Sequence, residues 1–167
     1  MSKIRNTSGI LEREVSKLRR YEFFNRLEGI IAEIGTAILA NIDEDGTPRM
    51  RWMTPATLKG RPGFIYCVGA GNSKKVKGLR INPKAEWMIQ SKNLDCIINI
   101  KGTVNILDNP SIRTEILHTI GPRLGMFWKT NLEDTEFVVL ETVMDEAIFF
   151  EPMLCKSKRV SFREGDE

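Results

Sequence analysis

Two adjacent lysines after a glycine-rich turn form the part of this 167-residue chain best suited to binding a ligand. Residues 69–71 form a glycine-rich turn after a predicted strand, and Ser73 is a good cap for a helix that begins with Lys74 and Lys75 and ends before Pro83. The first backbone amides of such a helix have no partner within it, and the helix dipole adds partial positive charge there. Together with two ammonium groups, these amides predict an anion site.

The competing interpretation is an ordinary capped surface helix, because most runs of charge form a solvated face. The spacing does not match the common nucleotide-binding loops. The Walker pattern GxxxxGK[ST] is absent, and a GxGxxG fingerprint would need a third glycine at position 74, where lysine stands. The residues therefore indicate neither a P-loop nor a Rossmann dinucleotide site.

Other kinds of chemistry have little support in the sequence. The chain has one histidine, His118, and its three cysteines, Cys67, Cys96 and Cys155, are far apart. No disulfide framework, metal-ligand spacing or histidine-based triad is therefore expected, and no metal site is predicted. No side chain is assigned a catalytic role, so any redox chemistry must come from a cofactor.

Composition restricts the partners and the location of the protein. A hydrophobic content of 41% is enough for one core, and a net charge of +3 from 25 basic and 22 acidic residues is too small for a nucleic-acid-binding surface. The N-terminus lacks the apolar run of a signal peptide, and no segment approaches the ~20 apolar residues that cross a bilayer. We expect a cytoplasmic protein that binds neither nucleic acid nor membrane.

The first half of the chain predicts a helix followed by short strands. Helical spacing of apolar residues covers 10–34, and strands are predicted at 36–42, 49–55 and 64–68, in antiparallel meander order. On the second strand Arg49, Arg51 and Met53 share one face, and Met50, Trp52 and Thr54 share the other.

The second half predicts more strands and one further helix. Strands are expected at 85–90 and 96–107, with a bulge or bend at Gly102, and a helix starts at Asn109. Residues 137–151 form a final strand or hairpin. Six or so antiparallel strands with helices over the openings predict a small barrel at 35–167, preceded by a helical extension at 1–34. A barrel of this size has little interior space, so a large ligand is expected outside it or between subunits.

Three blocks in this order resemble the flavin-binding split-barrel family, which includes pyridoxamine 5'-phosphate oxidase and small general stress proteins. The blocks are the hairpin turn DEDGTP at 43–48, the basic strand RMRWMTP at 49–55 and NSKKVKGLRINPKAEWMI at 72–89. The resemblance implies a six-stranded antiparallel split barrel that binds flavin mononucleotide (FMN). It also implies a homodimer with one FMN in each of two grooves at the subunit interface.

The resemblance also assigns residues to the cofactor. Ser73, Lys74 and Lys75 stand where the family has a Ser-Arg-Lys triplet that holds the flavin phosphate. Val68 and Gly69 would line the cofactor from the loop before that triplet. Four residues of the second strand are expected to run along the flavin ring, with Arg51 at the polar edge of the ring, and one residue is expected to approach from a loop of the partner subunit. These residues are Arg51, Trp52, Met53, Thr54 and Trp128. Trp52 is more simply read as filling the barrel or dimer core, and Trp128 equally well as a dimer-interface anchor.

The implied activity is that of a flavin-dependent oxidoreductase, in which FMN passes electrons from a reduced nicotinamide to a small acceptor or oxygen. Oxidation of pyridoxamine 5'-phosphate is not expected, because Ala56 stands where the oxidase has a lysine and Ile97 where it has a glutamine. The alternative is a non-enzymatic protein of the same fold that binds flavin, a deazaflavin or haem, or no cofactor. The visible absorbance of the purified protein, and its bleaching by reduced nicotinamide, distinguish these hypotheses.

Overall fold

A computed structural model describes residues 15–17, 20–125, 129 and 136–162 of the chain. Within them, the helices are α1 (Arg20–Ile34), α2 (Lys74–Ile81) and α3 (Pro110–Ile120). The strands are β1 (Val15–Lys17), β2 (Ala37–Ile42), β3 (Pro48–Met53), β4 (Phe64–Ala70), β5 (Lys84–Gln90), β6 (Ile97–Leu107), β7 (Phe137–Glu151) and β8 (Lys156–Ser161). The predicted class, mainly antiparallel β with helices, is confirmed, with eight strands described where six were expected.

The long strand β7 organises the sheet. One edge of β7 pairs with β6, and its other edge pairs first with β4, from Phe137 to Val143, and then with β8, from Glu146 to Glu151. The antiparallel order continues from β6 through β5 and β2 to β3. Two different strands therefore share one edge of β7, and the sheet divides near the middle of that strand.

The predicted meander of β2, β3 and β4 is wrong. Strands β2 and β3 form the expected hairpin, in which Gly46 has φ +80°. Strand β4, however, pairs with β7 along seven residues and meets the chain after β3 only at Ala56, which exchanges hydrogen bonds of 2.7 and 2.8 Å with Tyr66. Alternating side chains predict that a segment is a strand, but they do not specify which strand it pairs with. The Ala56 bridge nonetheless brings the end of β3 beside β4 and closes the barrel.

The predicted irregularity at Gly102 is confirmed. The register between β6 and β7 shifts there, because Lys101 pairs with Glu146 and Gly102 pairs with Met144, which leaves Asp145 as the extra residue. A Cβ at Gly102 would lie 2.4 Å from the carbonyl oxygen of Val143, so only glycine fits at this bulge.

Two hydrophobic clusters lie on opposite faces of β4. The larger cluster fills the barrel, includes Trp87, Ile65 and Cys67, and receives Phe23 and Leu27 from α1. The smaller cluster packs α3 against the outer face of β4 and is made of Ala56, Leu58, Tyr66, Val68, Ile116, Ile120, Leu124 and Val139. Since side chains alternate along β4, neighbouring residues of this strand belong to different clusters.

The two ends of the chain differ from the expected structure. The helix predicted for 10–34 is present only as α1, and Val15–Lys17 forms strand β1, which pairs in parallel with β8. Residues 137–151 are one strand rather than a hairpin, and β8 after them was not predicted. Strand β1 is a three-residue edge strand whose partner β8 is distant in sequence, so local patterns say little about it. Strand β8 lies between β1 and β7 and pairs with residues 146–151 of β7 across a short connection. Among the described residues, no helix has the length and apolar content needed to cross a membrane.

Candidate functional site

The start of α2 has the cap geometry that the sequence predicts. Ser73 is the N-cap, with extended backbone, and its Oγ accepts a hydrogen bond of 3.3 Å from the amide of Val76. The turn before it is fixed by two backbone bonds, from Gly71 to Glu136 at 2.9 Å and from Ser73 to Ala70 at 3.0 Å. The amides of the first two helical residues have no partner inside the helix, so they remain available to an anion.

The two lysines of the site have different environments. Lys74 is exposed, whereas Lys75 is half-buried and places its Nζ 3.3 Å from Sδ of Met53 on β3. The same ammonium lies over Gly69, where an added Cβ would be 3.1 Å from it. Burial lowers the pKa of Lys75 from its usual 10.5; the Cys67 thiol opposes this shift and the Arg51 guanidinium adds to it. Burial in turn raises the pKa of Cys67 to about 11.

Lys75 forms no ion pair with a carboxylate in the part of the chain that the structure describes. Desolvating a positive charge without a counter-charge is costly, and natural proteins rarely keep such a group buried without a partner. The Met53 thioether is only a weak acceptor, so it does not replace a carboxylate. This arrangement leaves the Lys75 ammonium able to pair with a negatively charged ligand.

Arg51 lies in a network on the same face of β3. Its Nη1 donates to Oδ1 of Asn41 at 2.5 Å, and its Nη2 donates to Oδ1 of Asp43 at 3.3 Å. The other oxygen of Asp43 pairs with Nε of Arg49 at 3.3 Å. Arg49, Arg51 and Lys75 thus bring three positive charges to this face, and Asp43 is the one carboxylate that pairs with any of them among the described residues. The local excess of two positive charges matches a phosphate dianion.

Gly78 brings this network close to α2. A Cβ at Gly78 would lie 2.5 Å from the carbonyl oxygen of Ile42 and 2.9 Å from Cα of Asp43. The helix can approach the β2–β3 turn this closely only because residue 78 has no side chain. The charged groups of the turn and the N-terminus of α2 therefore belong to one packed unit.

The remaining residues predicted to contact a cofactor are placed differently. Thr54 is half-buried directly after β3. Trp52 is 66% exposed, beside Met50 at 76%, on the face of β3 opposite Arg51 and Met53. Trp52 therefore does not fill the barrel core of this chain, and its contact with a flavin or a second subunit stays a prediction. The side chain of Val68 packs in the smaller cluster, on the other face of β4 from Gly69, so only its backbone can face the site. Trp128 lies outside the described residues.

A groove of about 540 Å³ borders the same turn but does not include Lys75. Its lining residues are Gly71, Asn72, Arg80, Ile106, Asp108, Glu136 and Val138. The net charge of these lining residues is −1, because they include one arginine and two carboxylates. Phosphate is therefore expected at Lys75 and not in this groove.

Three residues of the site were not singled out from the sequence: Asn41, Asp43 and Gly78. Two of them left a signal. Asn41 is a polar residue on the buried face of β2, in register with Ala37 and Leu39, and Gly78 interrupts a helical pattern. Such exceptions often mark a hydrogen-bonded core position or a close approach of two elements. The role of Asp43 could not be predicted, because aspartate is common in hairpin turns and needs no further explanation there.

Replacing Gly69 by alanine should displace Lys75 with little effect on the fold. The new methyl group would crowd the flexible end of the lysine side chain at 3.1 Å and make an ordinary contact with Leu140 at 3.5 Å, so we expect the free energy of unfolding to change by less than ~0.5 kcal/mol. Affinity for a phosphate-bearing ligand should fall roughly three- to tenfold, since one charge-assisted hydrogen bond is weakened. Thermal unfolding and ligand titration of Gly69→Ala check this, with Gly29→Ala, at a helix position with open space, as the control. Unchanged affinity would contradict the placement of Lys75.

One family model matches most of the chain. The family model described as "Pyridoxamine 5'-phosphate oxidase like" matches residues 22–161. No protein of the curated set matches the chain.

Solved structures share the fold at low sequence identity. A Clostridium acetobutylicum protein related to general stress protein 26 is 16% identical, with TM-score 0.64 over 84% of this chain and 95% of that one. A pyridoxamine 5'-phosphate oxidase-related, FMN binding protein from Nostoc punctiforme is 12% identical, with TM-score 0.64 over 92% and 96%. A haem binding protein from Mycobacterium smegmatis is 13% identical, with TM-score 0.61 over 79% of this chain and 55% of that one. These likenesses show the split-barrel fold and leave the ligand of this chain open.

Proposed function

Because the chain belongs to the pyridoxamine 5'-phosphate oxidase like family, we propose that it is an FMN-binding flavoprotein that carries out electron transfer from a reduced nicotinamide to a small acceptor. The observation that carries the proposal is the half-buried ammonium of Lys75, which has no carboxylate partner among the described residues and lies beside the N-terminus of α2.

The residues present fit the phosphate end of FMN. A phosphate dianion accepts several hydrogen bonds, and the site offers the Lys75 ammonium, the Ser73 hydroxyl and the first amides of α2. Lys74 adds charge from an exposed position, which contributes less because water screens it. In this proposal Arg51 serves the phosphate end rather than the polar edge of the ring, because it shares a face of β3 with Met53, which Lys75 contacts.

Bound FMN would supply the redox chemistry, and the protein would supply position and charge. The chain's own contribution is to hold the phosphate at Lys75 and so fix where the rest of the cofactor extends. No side chain is assigned to proton transfer.

We also propose that the protein is a homodimer. Met50 and Trp52 are exposed large apolar side chains on β3, which ends the sheet path in the described residues. Exposed apolar groups on an edge strand are typical of a surface that is covered by a partner. Light scattering of the purified protein should give twice the mass of the 19.1 kDa chain, and a Trp52→Lys variant should give the mass of a monomer.

The decisive experiment combines spectroscopy with two matched ligands. Purified protein should show the absorbance bands of flavin or acquire them with added FMN, and it should bind riboflavin, which lacks the phosphate, roughly 30- to 150-fold more weakly, the equivalent of about 2–3 kcal/mol. Reduced nicotinamide should bleach the bands without oxygen. Equal affinity for FMN and riboflavin would contradict the phosphate assignment, and a protein that binds no flavin would contradict the proposal.

The same spectrum tests the alternatives. A stable flavin spectrum that reduced nicotinamide does not bleach would favour a storage or sensing protein. A Soret band would favour haem, although the one histidine of the chain, His118, is exposed on α3, which packs against the smaller cluster. Mass spectrometry of the co-purified ligand separates flavin from deazaflavin.

Retention of FMN should depend on pH with a sign set by Lys75. Its pKa in the folded protein lies below the usual 10.5, so the ammonium loses its proton and its hold on phosphate at a lower pH than an exposed lysine would. Between the two pKa values the unfolded chain binds more protons, so the same group makes the ligand-free protein more stable as pH rises. We therefore expect weaker FMN binding without loss of fold at alkaline pH, measured by titration and circular dichroism. If the alkaline loss persists in Lys75→Met, Lys75 is not its cause.

A further inference from the structure

Asp43 is held more firmly than most turn carboxylates. Its amide donates to the carbonyl of Thr47 and its own carbonyl accepts from the amide of Gly46, both at 3.0 Å, so the hairpin turn fixes its backbone. Its side chain is only 10% exposed, and its two oxygens pair separately with Arg49 and Arg51 at 3.3 Å. The carboxylate therefore has a defined position between two guanidinium groups.

The Arg51 guanidinium is held at both of its terminal nitrogens. Nη2 faces Asp43 and Nη1 faces Asn41, a side chain 4% exposed that also donates to the carbonyl of Ile42 at 3.0 Å. Arg51 is a quarter exposed, whereas Arg49 is more than half exposed. With two donors engaged on the protein side, the other N–H groups of Arg51 are left for a ligand.

We propose that Asp43 is a positioning residue of the anion site, whose carboxylate orients the Arg51 guanidinium so that its outer N–H groups bind the same phosphate as Lys75. The inference rests on the proposed function of this site. Three observations support it: Arg51 and Met53 share a face of β3, Met53 contacts Lys75, and Gly78 holds the Asp43 turn against α2. An arginine fixed in advance loses less entropy when it binds its ligand.

Charge and position make opposite predictions for Asp43→Asn. If Asp43 acts only through its negative charge, its removal leaves the site more positive and an anion binds more tightly. If it positions Arg51, the neutral amide offers one acceptor oxygen where the carboxylate offered two charged ones to two guanidinium groups, so Arg51 is held less firmly and the anion binds more weakly. The direction of the change therefore decides between the two roles.

A double-mutant cycle separates positioning from simple damage to the hairpin. We expect Asp43→Asn to raise the Kd for FMN and for inorganic phosphate about tenfold in the otherwise unchanged protein, and to have almost no effect when Arg51 is already glutamine. Asp43→Glu, which keeps the charge but moves it by one methylene group, should weaken both ligands less. Glu146→Gln, which removes the charge of a carboxylate that pairs with Lys101 and Arg159 instead, serves as the matched control and should change Kd less than threefold.

The outcomes are distinct. Tighter or unchanged binding in Asp43→Asn overturns the positioning role while the FMN proposal stands. An equal loss in the Arg51→Gln background also overturns it, because the effect then does not act through Arg51. If the unchanged protein binds phosphate but not FMN, the proposed function fails and the cycle is judged on phosphate alone; if it binds neither, both fail. If Asp43→Asn does not fold, the cycle with Asp43→Glu decides.

Discussion

Replacing Lys75 by methionine should reduce the affinity for FMN roughly 30- to 150-fold, the equivalent of about 2–3 kcal/mol for one charge-assisted interaction in a half-buried site. Methionine keeps the length and packing of the lysine stem beside Met53 but carries no charge. The variant therefore removes the proposed contact with phosphate and leaves the surrounding structure in place. Titration with FMN, followed by flavin absorbance or fluorescence, measures the change.

The same substitution should make the ligand-free protein slightly more stable. The folded chain desolvates the Lys75 ammonium without a carboxylate partner in its described part, so a neutral side chain removes that cost. A gain in melting temperature together with a loss of affinity is the pattern of a residue retained for binding at the expense of stability. A lysine that served only the fold would give the opposite result, with lower stability on substitution.

Lys74→Met is the matched control. Lys74 is adjacent in sequence but exposed, and exposed ion pairs contribute about 0.2–1 kcal/mol, so we expect a loss of affinity of roughly two- to fivefold at most. If Lys74→Met weakened FMN as much as Lys75→Met does, the general charge of α2 would explain binding and the specific role of Lys75 would be refuted.

Replacing Gly78 by alanine should destabilise the protein and disrupt the site at once. The added Cβ would lie 2.5 Å from the carbonyl oxygen of Ile42 and 2.9 Å from Cα of Asp43, both backbone atoms that cannot rotate away. Helix α2 must then separate from the β2–β3 turn, at a cost of about 1–3 kcal/mol, typical of overpacking. Alanine also favours the helix over glycine by roughly 1 kcal/mol, so the protein is destabilised only where the clash costs more than that.

Thermal unfolding of Gly78→Ala should give a melting temperature lower by up to about 8 °C, and FMN titration should show weaker binding, because the N-terminus of α2 moves relative to Arg51. Gly29→Ala tests the same substitution inside α1, where nothing lies within 4 Å of the added Cβ, and should raise stability by roughly 0.5–1 kcal/mol. If both variants gained stability alike, the close packing of α2 on the hairpin would be refuted.

The local features of the site could be predicted from sequence because they depend on neighbouring residues. Ser73 caps α2, Gly46 closes the hairpin turn, and Gly102 lies at a bulge, as expected. The two faces of β3 are also as predicted, since side chains alternate in any strand. Each of these follows from turn chemistry or periodicity over fewer than about six residues.

The partners of the strands could not be predicted in the same way. The pairing of β4 with β7 joins segments about 70 residues apart, and no pattern within either strand selects the other. Strand β1 was missed for the same reason, because its parallel partner β8 is distant in sequence. Strand β8 pairs locally with β7 and was missed because its sequence, KSKRVS, has no alternation of apolar residues.

The capped helix that begins with two lysines after a glycine turn could be predicted from local residues, because helix caps and turn residues act locally. The different environments of Lys75, half-buried against Met53, and Lys74, exposed to water, depend on tertiary packing, since successive residues point about 100° apart around a helix and one face alone packs on the barrel. The fold also brings Asp43 to Arg51 and gives Lys75 no carboxylate partner among the residues that the structure describes, because those contacts join three elements that meet only in the folded chain.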